Sequence, residues 1–426
     1  MKVKIGSTEY TEIANLTFSP ETDITGSAAP INELIVDILT DDQIEVGSAV
    51  SLYDDRGILW ASYWVTDPVR LDEYTIRVTG QSALMLLDRI TLPATMYDRT
   101  AVGSILESLL APVPYHSISP DFSERTISGF APEQTARERL QWVVFVLGGY
   151  IKNYGDGYLR ILPIEEEEQA IIPLENTYWK PQVKYRDHVT GIRAKIYTYE
   201  RREPTTKEHW VEANGVTYVE NSRVFELTNP NAPSLAPENW VSVEDVTIIN
   251  EANVDDVLAH MAAYYFNRAE LDLECVNNGE WWPGQRVIAY ANDHSIYGGY
   301  INSATFTFGV QAKSSLDITA AEQMDGARLE IRYVWDGNVV GKRSYFLPVG
   351  YPYSIENPYF QRPMVSHMYV FRPENKKIEG TLPEDGETID EDVSPVLDLY
   401  NGVLTIIGVD EIKVKSQGNY VVGEIS

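Results

Sequence analysis

Thr135-Ala-Arg-Glu-Arg-Leu-Gln-Trp-Val-Val-Phe-Val-Leu-Gly-Gly-Tyr-Ile-Lys-Asn-Tyr-Gly-Asp-Gly-Tyr-Leu-Arg-Ile-Leu162 is the stretch on which the fold turns. Thr135 with Glu138 three residues later makes a capping box, and Gly148-Gly149 supplies residues that tolerate the φ needed to stop a helix. Between these signals Leu140, Val143, Val144 and Leu147 recur on one helical face. Trp142, Phe145 and Val146 widen that face, so the helix is expected to be buried on most sides. Two short strands should follow, with a turn at Gly155-Asp-Gly157. Upstream, Thr79-Gly-Gln-Ser-Ala-Leu-Met-Leu-Leu-Asp-Arg89 leaves a strand for an apolar turn. From Thr100 a further helix carries Val102, Ile105, Leu106, Leu109 and Leu110. Thr79 to Leu162 therefore reads as strand, helix, helix, strand, with nothing catalytic in it.

Outward from this block the pattern is β on both sides. Leu34–Ile38, Ala49–Tyr53, Ile58–Val65 and Tyr74–Val78 are strand-like runs separated by Gly, Asp and Pro clusters, as in a small barrel or sandwich. After Ile164 the β pattern resumes through Val189–Tyr199 and Val216–Val219. A third helix, capped at Asn253, carries Val254, Val257, Leu258, Met261 and Tyr265. Leu271–Val276, Arg286–Tyr290, Tyr297–Asn302 and Thr305–Leu316 follow as strands. Past Met324 a hairpin turns at Asp336-Gly337, the strongest short-range hairpin signal. An acidic spacer at Pro383–Asp392 leads to a last β unit. The expected fold class is mainly β with an α+β insertion. It comprises two tube-like β-barrel domains at 1–90 and 164–325, the second with a helix at 253–269. Between them lies the α/β unit at 91–163, and a small β-rich accessory module occupies 326–426.

Length and composition fit this division. A chain of 426 residues exceeds one ordinary core and implies about three or four domains. Hydrophobic residues at 44% and aromatics at 11% exclude wholesale disorder. The net charge of −29, from 63 acidic against 34 basic residues, argues against a grip on nucleic-acid phosphates, which needs clustered Lys and Arg. The single Cys275 allows no internal disulfide, and its alternating context predicts a small buried hydrophobe. The N-terminus has no apolar signal core and no window approaches about 18 apolar residues. Synthesis as a soluble protein in a cytoplasm is expected.

The sequence offers little chemistry. Glu165–Glu168 is the densest acidic run, but neighbouring carboxylates on a strand exit point in alternate directions, which favours a solvated loop. The six histidines, at 116, 188, 209, 260, 294 and 367, show no metal-ligand spacing. No G-x-S-x-G elbow supports a hydrolase. Gly337-Asn-Val-Val-Gly-Lys-Arg-Ser344 is one residue short of a phosphate-binding loop, carries Arg343 where Ser or Thr is required, and reads as a β-turn. No catalytic residue, cofactor or metal is expected. Trp281-Trp282 before Pro283-Gly284 suits a barrel end or a subunit interface better than a stacking platform. Tyr345, Tyr351, Tyr353, Tyr359 and Phe360 are candidates for contact with a host or partner surface.

Four segments together resemble the hub protein of phage tails and related contractile injection machines. They are Val46–Asp54 with Tyr63-Trp-Val65; Thr79–Arg89; Thr135–Leu162; and the helix from Asn253 with Trp282-Pro-Gly-Gln-Arg-Val-Ile288 and Gly298-Gly-Tyr-Ile301. The resemblance implies a structural, non-enzymatic homotrimer at the tail tip or baseplate of a virion. Its six barrels would adapt a six-fold tail tube to a three-fold spike and form part of the ejection channel. Implied partners are the tail tube or distal tail protein, a spike or tip protein and a tape-measure protein, with DNA as a transient passenger. The C-terminal hairpin with Val349–Tyr359 is similar to β-grasp modules of mucin-binding surface proteins, which implies a host glycan or protein as ligand. A receptor-binding tail-tip protein and a cell-wall hydrolase are the alternative readings.

Overall fold

A computed structural model describes residues 1–323, apart from 26–27, 55–56, 154–157, 165–169, 173–176, 179–180, 277–280, 292–294, 309–312 and the side chain of 313. Beyond 323 it describes backbone only, in the strands named below. The chain forms two compact units. The first comprises 1–171, 175–287 and 299–322, the second 172–174, 288–298 and 323–426.

The first unit begins with β1 Lys2–Ile5, β2 Thr8–Tyr10, β3 Ile13–Ser19, β4 Glu33–Leu39, β5 Ala49–Tyr53, β6 Leu59–Arg70 and β7 Thr75–Gln81. They pair antiparallel in the order β3-β4-β7-β6-β5-β1-β2. Alternation decides the faces: Leu34, Val36, Ile38, Val50, Leu52, Tyr63, Ile76 and Val78 are all buried on one face, while on the other Asp37 lies buried opposite the exposed Arg77. Arg77 donates to both Asp37 oxygens, at 2.8 and 2.9 Å.

The insertion contains a 3-10 turn Ala83–Arg89, β8 Thr91–Leu92, β9 Thr95–Ala101, α1 Val102–Leu110, β10 His116–Ile118 and α2 Pro120–Ser123. It continues with β11 Thr126–Ala131, β12 Gln134–Thr135, α3 Ala136–Val146, β13 Gly149–Lys152 and β14 Leu159–Pro163. All five apolar side chains expected on α1 are buried. At α3 the capping box forms as the sequence implies: Glu138 N donates to Thr135 Oγ1 at 3.2 Å, and Thr135 N donates to Glu138 Oε2 at 2.8 Å. The bonds that Thr135 N and Thr135 Oγ1 donate to Glu138 Oε2 hold its carboxyl below the usual range. Gly148 at φ 65° then ends the helix. The turn expected at Gly155-Asp-Gly157 lies outside the described residues.

Next come β15 Ala170–Ile171, β16 Val183–Tyr185, β17 Gly191–Glu200, β18 His209–Ala213, β19 Val216–Thr228 and β20 Trp240–Val243, then α4 Val254–Tyr265. The series closes with β21 Ala269–Val276, β22 Arg286–Tyr290, β23 Ile296–Phe308 and β24 Lys313–Met324. β17 to β20 form their own sheet, ordered β18-β19-β17-β20. Ile192, Ala194 and Ile196 of β17 and Val254, Val257, Leu258 and Met261 of α4 complete one core with α1 and α3. α3 is thus covered on nearly every side, and its face Leu140, Val143, Val144 and Leu147 packs internally. α4 ends at Tyr265, four residues before the expected end at Ala269, because Ala269 is already paired with Ala321 in the β21–β24 ladder. Asn253 precedes α4 without capping it; its side chain accepts from Asn250 N at 2.8 Å and donates to Ile248 O at 3.1 Å.

The molecule is mainly β with an α insertion. The strands flanking the insertion share one sheet, because β23 pairs with β3 through Phe306↔Phe18, Thr307↔Thr17 and Phe308↔Leu16. The full path runs β16-β21-β24-β23-β3-β4-β7-β6-β5-β1-β2. Five rings, Phe18, Trp60, Trp282, Phe306 and Phe308, pack at the seam. Phe18 and Phe306 stack at 4.8 Å, Trp282 lies 4.9 Å from Phe306, and Trp60 meets Trp282 edge-on at 5.5 Å. The turn after Trp282 is held by Gly284 N donating to Ile301 O at 2.7 Å. Gly284 sits at φ 87°, and a Cβ there would come within 2.3 Å of the Tyr150 ring, so only glycine lets the insertion close on this turn.

In the second unit β25 Gly326–Trp335 and β26 Asn338–Pro348 pair antiparallel, with Trp335 opposite Asn338, and the turn expected at Asp336-Gly337 lies outside the described residues. Short strands β27 Tyr353–Ser354, β28 Tyr369–Val370, β29 Val396–Leu397 and β30 Thr405–Ile406 pair as β27/β29 and β28/β30. β31 Ile412–Gln417 and β32 Tyr420–Ile425 complete a sheet ordered β26-β25-β32-β31, in which β25 and β32 run parallel.

Truncating the seam should be costly. Trp282→Ala is expected to lose about 3–5 kcal/mol in denaturant unfolding, against within about 0.5 kcal/mol for the exposed control Tyr74→Ala. Val144→Asp should abolish soluble expression, because it places an unpaired carboxylate in the insertion core.

Candidate functional site

Sheet edges and exposed aromatic groups are the described surfaces that offer binding capacity. β18 pairs only with β19 among the described residues, so its outer edge presents unsatisfied backbone groups. Ala213 and Val216 are joined by Asn214-Gly215 at φ 53° and 75°, a two-residue turn of the type that suits strand twist. Trp210, on this edge strand, is 53% exposed. Its approach is stiffened by Arg202, which donates to Glu208 at 2.5 and 2.8 Å and to Glu200 at 2.9 Å. Glu208 also accepts from Thr205, and the Arg202 bonds with the Thr205 bonds pull its carboxyl down to about 2. The Asn-Gly turn between alternating residues was a legible signal for this hairpin, and only its second strand was expected.

Trp240, at the other edge of the same sheet, lies flat over Gly191, where a Cβ would stand 2.3 Å from the indole. The Arg193 guanidinium caps that indole at 4.2 Å and reaches Glu226 at 2.7 Å. A separate exposed apolar group, Leu39, Val69, Leu71 and Tyr74, surrounds the ends of β4, β6 and β7. Arg70 braces that end by donating to the carbonyls of Thr40 and Asp42, each at 2.6 Å.

The expected contact residues are distributed differently. Trp281 and Trp282 are 3% and 8% exposed, and Trp282 belongs to the seam within one copy. Tyr351, Tyr359 and Phe360 lie outside the described residues; for Tyr345 in β26 and Tyr353 in β27 only the backbone is described. Glu165–Glu168 also lies outside them.

Three described histidines are engaged in structure. His116 pairs with Glu107 at 3.1 Å and with Val113 O at 3.0 Å; His188 contacts Arg268 at 2.6 Å; His260 meets Thr25 O at 3.1 Å and is kept neutral by burial. Cys275 is fully buried, which pushes its thiol up to about 12. Among the described residues no group of three His, Cys, Asp or Glu is placed to hold a metal, and no helix is long and apolar enough to cross a membrane. One carboxylate is strained: Asp317 stands directly opposite Asp272 on β21 and β24. Burial first, then Asp272 and Glu270, raise its pKa, while Lys184 and Arg186 offset part of this.

No protein-family model and no curated protein sequence matches the chain. Solved structures do. The chain superposes on the tail protein from Neisseria meningitidis with a TM-score of 0.56 at 12% identity, over 75% of this chain and 95% of that one. For the prophage MuSo2 tail protein from Shewanella oneidensis the values are 0.50, 12%, 75% and 97%. The architecture is thus the one these phage-type tail proteins share.

The Asp272–Asp317 pair makes a pH-dependent signature. Because the folded pKa of Asp317 lies above its ordinary 3.8, the charged form costs stability above that folded value. Protonation removes the cost as pH falls toward the unfolded value. Asp317→Asn should therefore raise the melting temperature at pH 7, with the gain shrinking as the pH is lowered through the folded pKa.

Proposed function

We propose that this protein is a structural component of a phage tail or related injection machine, acting as a trimeric hub at the distal end of the tail tube. The observation that carries the reading is the continuous sheet. Two flanking strand sets joined at β3–β23 around an α insertion reproduce an architecture that spans nearly the whole Neisseria tail protein. The histidine, cysteine and carboxylate partners described above support a non-enzymatic role. Three copies would supply six strand sets to a pseudo-hexameric ring between tube and spike or tip protein. The net charge of −29 suits a channel wall that DNA passes without adhering, since like charges repel. The tail tube or distal tail protein and the tape-measure protein are the further partners, and the tail tip of the virion is the location.

The open edge of β18 with Trp210 is the described surface best suited to a neighbouring subunit, because strand addition satisfies the edge and the indole adds a buried anchor. Light scattering at rising concentration should give three times the chain mass or a larger ring. Trp210→Asp should weaken that assembly about tenfold or more while leaving the monomer's melting temperature unchanged. A strict monomer that never joins tail-tube protein overturns the hub reading.

A second reading adds a host-binding role for the C-terminal module. The sheet β26-β25-β32-β31, with its first and last strands parallel at the centre, supports a β-grasp-like module. Deleting residues 326–426 separates the roles: tail assembly should survive, and adhesion to host cells should be lost.

A further inference from the structure

Within the first unit, the outer face of β5 and β6 meets the insertion across a recess of about 530 Å³, counted with its open mouth. Its floor carries Ser51 and Ser62, a directly opposed cross-strand pair. Trp64 lies on the same strand face, one alternation further along β6. Tyr115, after α1, and Tyr158, before β14, are 62% and 43% exposed; their rings are 5.7 Å apart and tilted by 56°. The Arg160 guanidinium supports the Tyr158 ring at 5.4 Å, and Leu159 N donates to Tyr115 O at 2.9 Å, which fixes the two tyrosine backbones together.

Asn153 completes the lining. Its Nδ2 donates to Ser82 Oγ at 3.1 Å and its Oδ1 accepts from Asn32 Nδ2, a buried network that sets the amide plane. One amide hydrogen and one oxygen lone pair remain beyond these bonds.

The composition of this lining is selective. Charged residues make up 23% of the chain, yet none of the residues lining the recess is charged. The Arg160 guanidinium lies against the Tyr158 ring and not among the lining residues, so neither an anion nor an amine meets an opposite charge within the lining itself. What the recess does offer is aromatic faces next to hydroxyls and an amide. That pairing matches a pyranose ring, whose C–H face stacks on an aromatic ring while its edge hydroxyls take hydrogen bonds. An exposed tyrosine pair held rigidly beside a polar floor also suits such a ligand, since large exposed aromatic groups mark binding surfaces. We propose that this recess is a binding site for a neutral hexose or N-acetylhexosamine unit of a surface glycan, with Tyr115 and Tyr158 stacking on the sugar and Ser51, Ser62 and Asn153 bonding its hydroxyls.

The site belongs to the N-terminal architecture, is separate from any C-terminal adhesin, and does not depend on the hub reading. A chain that binds sugar as a monomer would sustain this inference while refuting the hub.

The test uses the full-length protein and saturation-transfer NMR. The probes are glucose, galactose, N-acetylglucosamine and their short oligomers, with a sulfated glycan and an aromatic proline-rich peptide as competitors. At least one neutral saccharide should give a signal at millimolar concentration, weakened about tenfold or more in Tyr115→Ala and Tyr158→Ala. Tyr115→Phe and Tyr158→Phe, which keep the rings, should retain it, and so should the distant control Tyr74→Ala. Melting curves matching the parent show that the variants are folded. Three results overturn the proposal: no signal from any neutral saccharide at tens of millimolar; a signal that survives both alanine variants; or displacement of the sugar by the sulfated glycan or the peptide as the tighter ligand.

Discussion

Phe18 stacked on Phe306 is the contact on which the first unit depends. Each ring sits on a strand that belongs by sequence to a different part of the chain, and the two strands are hydrogen-bonded directly beneath the rings. Cross-strand aromatic pairs add stabilisation beyond the area they bury, and here Trp60 and Trp282, in edge-on contact with each other, pack against the pair. Without that seam, the β1–β7 set and the β21, β23, β24 set would each end in an open edge. With it, one sheet runs across residues nearly three hundred positions apart. That order is long-range by construction, so forming it requires closing large loops before the pairing is rewarded.

The insertion is the second constraint. It contributes no strand to the main sheet, yet it touches the seam region where Tyr150 lies over Gly284 and where Thr22 Oγ1 donates to Ile151 O at 2.9 Å. Its core is shared with β17 and α4, so the helices cannot move as a separate body without opening that core. The insertion is thereby tied to both strand sets. Buried polar groups reinforce the point: Arg139 on α3 is 1% exposed and is held by Tyr97 Oη at 3.1 Å and Pro132 O at 2.5 Å rather than by a carboxylate. Such an arrangement fixes one geometry of the β11–α3 approach, since any other leaves a cation buried without partners.

Charge is unevenly used. Pairs such as Asp37–Arg77 and Arg193–Glu226 neutralise parts of two sheets, whereas the β21–β24 face sets Asp272 directly opposite Asp317 and offsets the two with Lys184, which pairs with Asp272. The tyrosine-lipped recess is the opposite case, a patch without formal charge in an acidic chain. These contrasts are set by which side chains alternation brings to one face, and alternation is local, whereas the pairing of faces is not.

The sequence by itself determined most of the local structure. The capping box at Thr135, the buried faces of α1 and α3, the buried Cys275 and the strands at Ala49–Tyr53 and Arg286–Tyr290 follow from periodicity, caps and turn residues acting within a few positions. Even the missed β18–β19 hairpin carried its Asn-Gly signature. Tertiary structure alone decided the rest. That Trp282 turns inward to meet Phe18 and Trp60, that Arg139 is a core residue, that α4 stops at Tyr265 because Ala269 is taken into a ladder, and that Tyr115 comes to stand beside Tyr158 all depend on partners far away in the chain. A short-range pattern states which face is apolar; which surface covers that face is settled only when the whole sheet has formed.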